Sequence, residues 1–457
     1  MKVGVMGAGR VGLASALVLC ELGHDVTVFD VDPSRVRMLR AAAPPFFEPD
    51  AAASLQEATR SRRWTVTDRA DALARCRSVL IAVPTPAGPG GQYDLAALRA
   101  AADALRGVQA RTNRGLGWEG VFLRSTVLPG TTEGVLGTAL ADAAGGSLPP
   151  VPIGYLPEFL REGSMLADAR RPDRIVVGAA DAGLRALARV LFAGIDTTWF
   201  DTGIRTAELI KVANNALFST CVSFANDIAR LAETIDGVDA VEVFEGIHLD
   251  RRLQGSAGAS IAEYLRPGPG FGGTCLPKDL AALAALAGAR PEGAPILDAA
   301  LRINRMQPTW FVERIAEALG GLADRRVLVL GLAFKPGTDD LRESVALTLC
   351  RELARRGAAV RAHDPWAEPG AARALLASSG VVVVENGAFR DAFASAEAAI
   401  LVTPWPVYAR TLPELLAMRS APLLFADARG IFRNVTRARC VTYLGIGARP
   451  VRDERVG

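Results

Sequence analysis

Short apolar runs without helical period alternate with stretches whose apolar residues recur every three to four positions, and the alternation is set up twice along the chain. The first series opens on Lys2-Val3-Gly4-Val5-Met6, a strand, followed by a helical pattern over 14–22 and a second strand at Asp25-Val26-Thr27-Val28-Phe29. Further apolar runs at 78–83 and 121–124 are each cut at the carboxyl end, by Pro84-Thr85-Pro86 and by Ser125-Thr126-Val127-Leu128-Pro129-Gly130. A turn at 88–91, an amphipathic helix over 95–105 and a strand at 175–178 complete this series. From 206 to 231 the chain runs as helix without Gly or Pro, and more helix is predicted over 236–249 and 280–289. The second series restarts at Arg326-Val327-Leu328-Val329-Leu330, with a helix over 345–356 and strands at 359–365, 381–384 and 399–402. The pattern predicts an α/β fold: two Rossmann-like doubly wound domains, 1–200 and 301–457, joined by a central helical domain, 201–300.

Composition adds exclusions. With 457 residues, 50% hydrophobic and 22% charged, the chain has core-forming material for about three domains. A net charge of +3 with Arg scattered among acids gives no nucleic-acid surface. Six cysteines, at 20, 76, 221, 275, 350 and 440, form no CxxC pair and read as reduced thiols of a cytoplasmic protein. No uncharged apolar stretch reaches about 18 residues and no signal peptide opens the chain, so no membrane association is expected. None of the three histidines has metal-ligand spacing, and no metal is expected.

Chemistry concentrates in a few stretches. Gly7-Ala8-Gly9-Arg10-Val11-Gly12 lies between a strand and a helix, where GxGxxG supplies a tight turn, close approach of a pyrophosphate and free helix N-terminal amides. Asp30, at the end of the second strand, is placed to bond the adenosine ribose, which favours NAD over NADP. Arg35 points the other way, toward a 2′-phosphate, and FAD is the chief competitor. Thr85, Ser125 and Thr126 sit at strand carboxyl ends, where ligand contact and capping of the next helix are both open readings. Glu158 and Glu162, four apart, share one face if their segment is helical, and Lys211 and Asn215 do so on the long helix. Residues 267–279 hold four glycines and three prolines, read as a loop that delivers the thiol of Cys275 with Lys278 and Asp279 beside it, a nucleophile with a tuning charge and a base. A small buried hydrophobe is the other reading of Cys275. Lys335, Arg342 and Arg429, near the loops of the second series, suit diphosphate oxygens or surface salt bridges.

The stretches GAGRVGL, VPTP, STVLPGT, PEFLREG, AELIKVANNA, GFGGTCLPKD and GLAFKPGTDDLRES resemble, in order and rough spacing, the UDP-glucose/GDP-mannose dehydrogenase family of nucleotide-sugar 6-dehydrogenases. The resemblance runs almost from end to end. It implies oxidation of a sugar primary alcohol to a carboxylate with two NAD, through a thiohemiacetal and a thioester on Cys275. It implies Asp279 as the water-activating or proton-shuttling acid, and Lys211, Asn215, Thr126 and Glu158 as polar groups around the reacting carbon. Gly7, Gly9, Arg10, Val11, Gly12, Asp30, Arg35, Thr85, Ser125, Glu162 and Arg342 would lie near NAD. Phe159, Leu160, Arg266, Phe271, Gly272, Lys335 and Arg429 would meet the nucleotide sugar, and the central helices would form a homodimer.

The chain departs from the family pattern at Arg10, at Leu156, at Arg429-Gly430 and in a Gly, Ala and Ser stretch at 255–260. PPFFEP and RPDRIVVG resemble bacterial UDP-glucose enzymes, while RSTVLPGT, CLPKD and the longer loop lean to GDP-mannose enzymes; the resemblance leads to UDP-glucose, oxidised to UDP-glucuronate, with GDP-mannose as the alternative. A hydroxy-acid reductase would have no need of Cys275. A catalytically silent nucleotide-sugar binding protein is the reading from a different functional class.

Overall fold

The computed structural model describes residues 1–112, 117–143, 151–254, 261–288, 290–448 and 451–452. The expected 255–260 extension lies outside them. Two compact units are present, Met1–Asn214 and Asn215–Gly457.

In the first unit eight strands form one sheet: β1 (Lys2–Met6), β2 (Asp25–Phe29), β3 (Trp64–Thr67), β4 (Ser78–Ile81), β5 (Gly120–Leu123), β6 (Ile153–Tyr155), β7 (Arg174–Ala179) and β8 (Thr198–Thr202). Their order is β3-β2-β1-β4-β5-β6-β7-β8, parallel throughout except for β6 against β7. Every residue of β4 and β5 is buried, which is why these strands read as continuous apolar runs. The order reverses between β1 and β4, the place at whose strand carboxyl ends doubly wound sheets bind their ligands.

The second unit repeats the plan with β9 (Arg326–Leu330), β10 (Ala359–His363), β11 (Val382–Val384), β12 (Ala398–Leu401), β13 (Leu423–Asp427), β14 (Val441–Gly445) and β15 (Val451–Arg452). The order is β11-β10-β9-β12-β13-β14-β15, with β15 antiparallel. Between the sheets in sequence lies the helical region: Ile204–Glu233, Ala240–His248, Leu276–Ala287 and Pro295–Leu319. No described helix is long and apolar enough to cross a membrane.

Boundaries differ from expectation in two informative places. The helix predicted over 95–105 runs Ala96–Arg111, because Leu98, Ala101, Ala102, Leu105 and Val108 continue one buried stripe. The helix expected from 280 begins at Leu276, with Cys275 as its N-cap and Pro277 in the first turn, where the missing N–H costs nothing. Asp279 therefore stands in a first helical turn rather than a loop.

Candidate active site

In the first unit, β1 delivers the chain into Gly7, whose φ of 97° favours glycine. A Cβ on Gly7 would lie 2.5 Å from the Ala82 carbonyl oxygen, and one on Gly12 would lie 1.9 Å from that of Gly7. Both glycines are thus demanded by the protein's own packing. Gly9 differs: a Cβ there would meet nothing within 4 Å. It is also the N-cap of helix Arg10–Glu21 and carries no side-chain cap. A helix N-terminus without a side-chain cap, with open space at its N-cap glycine, suits a pyrophosphate, so the loop fits a dinucleotide.

Asp30, buried at the end of β2, accepts the Ala8 amide (2.6 Å) and Arg35 (3.0 Å) on Oδ2, and the Asp32 amide (2.9 Å) on Oδ1. Arg35 therefore lies on the ribose-binding acid itself. Thr85 Oγ1 donates to the Thr126 carbonyl and Ser125 Oγ to that of Val83, both at 2.7 Å. These hydroxyls latch the ends of β4 and β5 together and cap no helix.

Glu158 and Glu162 do not share a helix face. The segment after β6 is irregular, and each acid has its own cation: Glu162 pairs with Arg10 at 3.2 Å and Glu158 with Lys211 at 3.1 Å. Arg10 also lies 4.7 Å over the Phe46 ring, so the residue expected near the cofactor fastens the glycine loop to its surroundings. Glu158 and Lys211 are both buried, and Glu158 Oε2 accepts the Leu160 amide at 2.7 Å. Phe159 lies beneath two cations, Arg174 at 3.9 Å and Lys211 at 5.2 Å from the ring centre. Arg124, one residue before the Ser125-Thr126 latch, is buried too. Desolvation lowers its pKa, against the opposing charge of Glu158.

The second unit holds the thiol. Cys275 is exposed, whereas Cys20, Cys76 and Cys350 are buried. Burial pushes Cys76 up to about 11 and Cys350 up to about 12, which leaves both inert as nucleophiles. Asp279 is fully buried, and its carboxylate is shared between Lys278 on Oδ1 (2.5 Å) and the Asn215 amide on Oδ2 (2.6 Å).

The thiol loop is held by its backbone. Asn226 accepts the Gly268 amide (2.8 Å) and Gln307 donates to the Gly268 carbonyl (2.8 Å). Asn304 takes both the amide (2.8 Å) and the carbonyl (3.0 Å) of Phe271. The Phe271 ring is buried with Ala216, Leu280 and Ala300, an anchor for the loop. A Cβ on Gly272 would lie 2.1 Å from the Glu343 carbonyl oxygen and one on Gly273 2.8 Å from the Phe334 ring. These contacts bring the GFGGTCLPKD and GLAFKPGTDDLRES stretches together. Lys335 Nζ lies 5.9 Å over Phe334, Arg266 is exposed, and Arg342 is bound fork-to-fork by Asp340.

Asp427, buried at the end of β13, accepts the amides of Arg429 (2.9 Å), Gly430 (3.0 Å) and Phe432 (2.7 Å), which shapes the turn. Arg429 is aimed at the thiol loop: a Cβ on Gly268 would lie 3.0 Å from its guanidinium, and burial lowers its pKa to about 10.

Several supporting residues were absent from the sequence-based expectation. Besides Asn226, Asn304 and Gln307, Glu48 accepts the amides of Gly163 (2.9 Å) and Met165 (2.5 Å). Glu208 accepts the amides of Gly130 (2.6 Å) and Thr132 (2.8 Å). Burial raises the pKa of both acids against these bonds. Their one sequence signal was position: Glu48 lies within PPFFEP, and Glu208 stands three residues before Lys211.

Comparison with known proteins follows the same division. The NAD binding domain of the UDP-glucose/GDP-mannose dehydrogenase family matches residues 1–196, its central domain 205–306 and its UDP binding domain 328–434. The UDP-glucose 6-dehydrogenase AglM of Haloferax volcanii is 36% identical over 449 residues, covering 97% of this chain and 99% of that protein. A UDP-glucose dehydrogenase structure from Pyrobaculum islandicum is 38% identical with a TM-score of 0.87, covering 98% of this chain and 97% of that one. A ternary complex of GDP-mannose dehydrogenase from Pseudomonas aeruginosa is 27% identical with a TM-score of 0.52, covering 98% and 100%.

Proposed function

The chain belongs to the UDP-glucose/GDP-mannose dehydrogenase family, and from that premise we propose that it oxidises UDP-glucose at C6 to UDP-glucuronate through a thioester on Cys275. It is an NAD-dependent nucleotide-sugar 6-dehydrogenase. The observation that carries the mechanism is an exposed thiol at the head of a helix, followed one turn later by a buried carboxylate already paired with a cation and an amide. The helix N-terminus favours negative charge at that thiol.

NAD supplies the hydride acceptor for both oxidations. The Cys275 sulfur adds to the C6 aldehyde, forming a C–S bond and an alkoxide. Lys211 and Asn215 are assigned to that alkoxide as fixed donors. Loss of the second hydride leaves the thioester, which splits a hard oxidation into easier steps. Water then cleaves the acyl–sulfur bond, with Asp279 receiving its proton, and releases the carboxylate and the thiol. Glu158, 3.1 Å from Lys211, is assigned to keep it in place, and Thr126 is assigned to the surroundings of the reacting carbon. Arg429, Lys335 and Arg266 are assigned to the nucleotide diphosphate.

The UDP-glucose assignment draws on the Haloferax and Pyrobaculum relatives, 36% and 38% identical to this chain against 27% for the GDP-mannose enzyme. The test is NADH formed per sugar consumed, with limiting UDP-glucose and separately limiting GDP-mannose. Two per UDP-glucose and none with GDP-mannose is the expected result; one per sugar sinks the four-electron route. Cys275→Ser should lose net acid formation while NAD binding and thermal stability persist.

A homodimer is proposed on one further observation. Leu217, Phe224 and Leu231 repeat every seven residues along Ile204–Glu233 and are each about half exposed, a stripe that a second copy of the helix would cover. Sedimentation should give twice the chain mass, and Phe224→Glu should return it to the monomer value.

A further inference from the structure

Away from the cofactor crevice, the first unit contains a cavity of about 510 Å3. It opens on one face of β1–β3, and its wall is the turn of helix Ala70–Arg75. Lys2 and Asp25, which begin β1 and β2, lie on its rim, so it sits toward the amino ends of these strands. Gly7 and Asp30 stand at the opposite ends of the same two strands.

The lining is strongly cationic. Lys2, Arg62, Arg63, Arg69 and Arg75 face two acids, Asp25 and Asp71. Asp71 is already committed to Arg111, at 2.6 Å. Among the described residues none of the five cations has an ion-pair partner, although most arginines elsewhere in this unit do. Thr27, Thr65 and Thr67 add hydroxyl groups, and Thr27 and Thr65 are direct neighbours across β2 and β3. Arg62 holds a φ of 58°, a left-handed conformation rare for an arginine, which places its side chain at this rim at a backbone cost of about 1–3 kcal/mol.

Unpaired like charges around one concavity repel one another and focus the local field on an anion. Four of the five are guanidinium groups, whose planar forks match phosphate oxygens two at a time. Among the described residues no aromatic side chain lines the cavity, so none of them would stack on a nucleobase there. The volume exceeds what a single phosphate fills, and a cavity this size does not admit a nucleic-acid duplex.

We propose that this cavity is a binding site for an oligophosphate, recognised through its phosphates, either as the free inorganic ion or as the tail of a nucleotide. Such a site lies outside the oxidation chemistry. It touches that chemistry through β1 and β2, each of which runs from the cavity rim to the cofactor loop.

The experiment is calorimetric titration of inorganic tripolyphosphate into the full-length protein at about 0.15 M salt, with NAD and UDP saturating. The expected result is one ion bound per chain, with affinity falling as salt rises. The combined variant Arg62→Ser, Arg69→Ser, Arg75→Ser should weaken binding by at least about tenfold, while NADH formation without tripolyphosphate stays at the wild-type rate. The single variant Arg69→Ser should weaken it by roughly two- to fivefold, a check that does not depend on the triple variant folding. ATP binding like tripolyphosphate, with AMP weaker, identifies the phosphate tail as the recognised group. Absence of saturable binding, wild-type affinity in the triple variant, or binding of ATP but not of tripolyphosphate would each overturn the proposal.

Discussion

The turn after β1 and the turn after β9 are built alike and carry different loads. Gly7 and Gly331 both have positive φ, 97° and 86°, and their amides donate to the last carbonyl of the neighbouring strand at 2.8 Å, to Phe29 and to His363. A Cβ on either would strike a backbone carbonyl beyond the next strand, Ala82 at 2.5 Å or Thr403 at 2.4 Å. Each neighbouring strand then ends in an aspartate that takes amides of the turn, Asp30 from Ala8 and Asp364 from Leu332 (2.7 Å) and Ala333 (2.9 Å). There the likeness stops. Asp364 also accepts the amides of Trp366 and Ala367 and the buried indole of Trp405 at 3.0 Å, five donors on one carboxylate. Asp30 instead meets the guanidinium of Arg35, which is about one-third exposed. A helix starts at Arg10, directly after the first turn, but only at Val345 after the second. The glycine and the aspartate make the turn; the immediate helix and an acid with a displaceable partner make it a dinucleotide site.

Asp364→Ala should break this contrast most violently, because five donors, four of them buried, lose their acceptor. A loss of about 4 kcal/mol or more is expected in denaturant titration, against about 1 kcal/mol for Asp30→Ala, whose larger effect should be on NAD affinity. Equal stability losses would mean that the two acids do the same job. Next come Gly7→Ala and Gly331→Ala. The matching clashes predict matching losses of about 3 kcal/mol, and a harmless Gly331→Ala would end the likeness between the turns. Gly9→Ala sharpens it from the other side: melting temperature unchanged, NAD affinity down roughly tenfold, about 1.4 kcal/mol, in a fluorescence titration.

The smallest effect is on pH. Burial lowers the pKa of His363, whose ring lies 2.8 Å from Tyr408 Oη, below the usual 6.5. The unfolded chain therefore binds the proton more readily. The stabilisation is whole above about 6.5 and is lost as pH falls toward the folded value. Melting temperature should drop on that acid limb, less steeply in His363→Asn than in the wild type. His24 in the first unit is lowered by burial in the same sense, so His24→Asn should flatten the remainder.

What the sequence disclosed was local. The glycine motif, the acid eighteen residues beyond it and the thiol loop declare themselves because each is specified by its own backbone needs. The two sheets followed from continuous apolar runs, since strands buried on both faces have no polar positions to hide them. What escaped was remote: Glu48 holds a loop 115 residues on, Glu208 one 78 residues back, and Asn304 one 33 residues back. An acid or amide that serves another segment's backbone looks, in sequence, like any solvated side chain. Glu158 and Glu162 misled for the same reason. Their four-residue spacing mimics a helix face, but Lys211 and Arg10 fix them as two separate partners.

The contact between Arg35 and Asp30 makes coenzyme preference a matter of one carboxylate, and hence of one nucleotide in the gene. Aspartate codons stand a single base from those of asparagine, glycine and alanine. Any of these exchanges removes the acid that suits a ribose hydroxyl and releases, in the same step, a guanidinium suited to a ribose phosphate. A lineage carrying this loop holds the alternative coenzyme pool, as hydride acceptor, within one mutation, with the receiving side chain already in place.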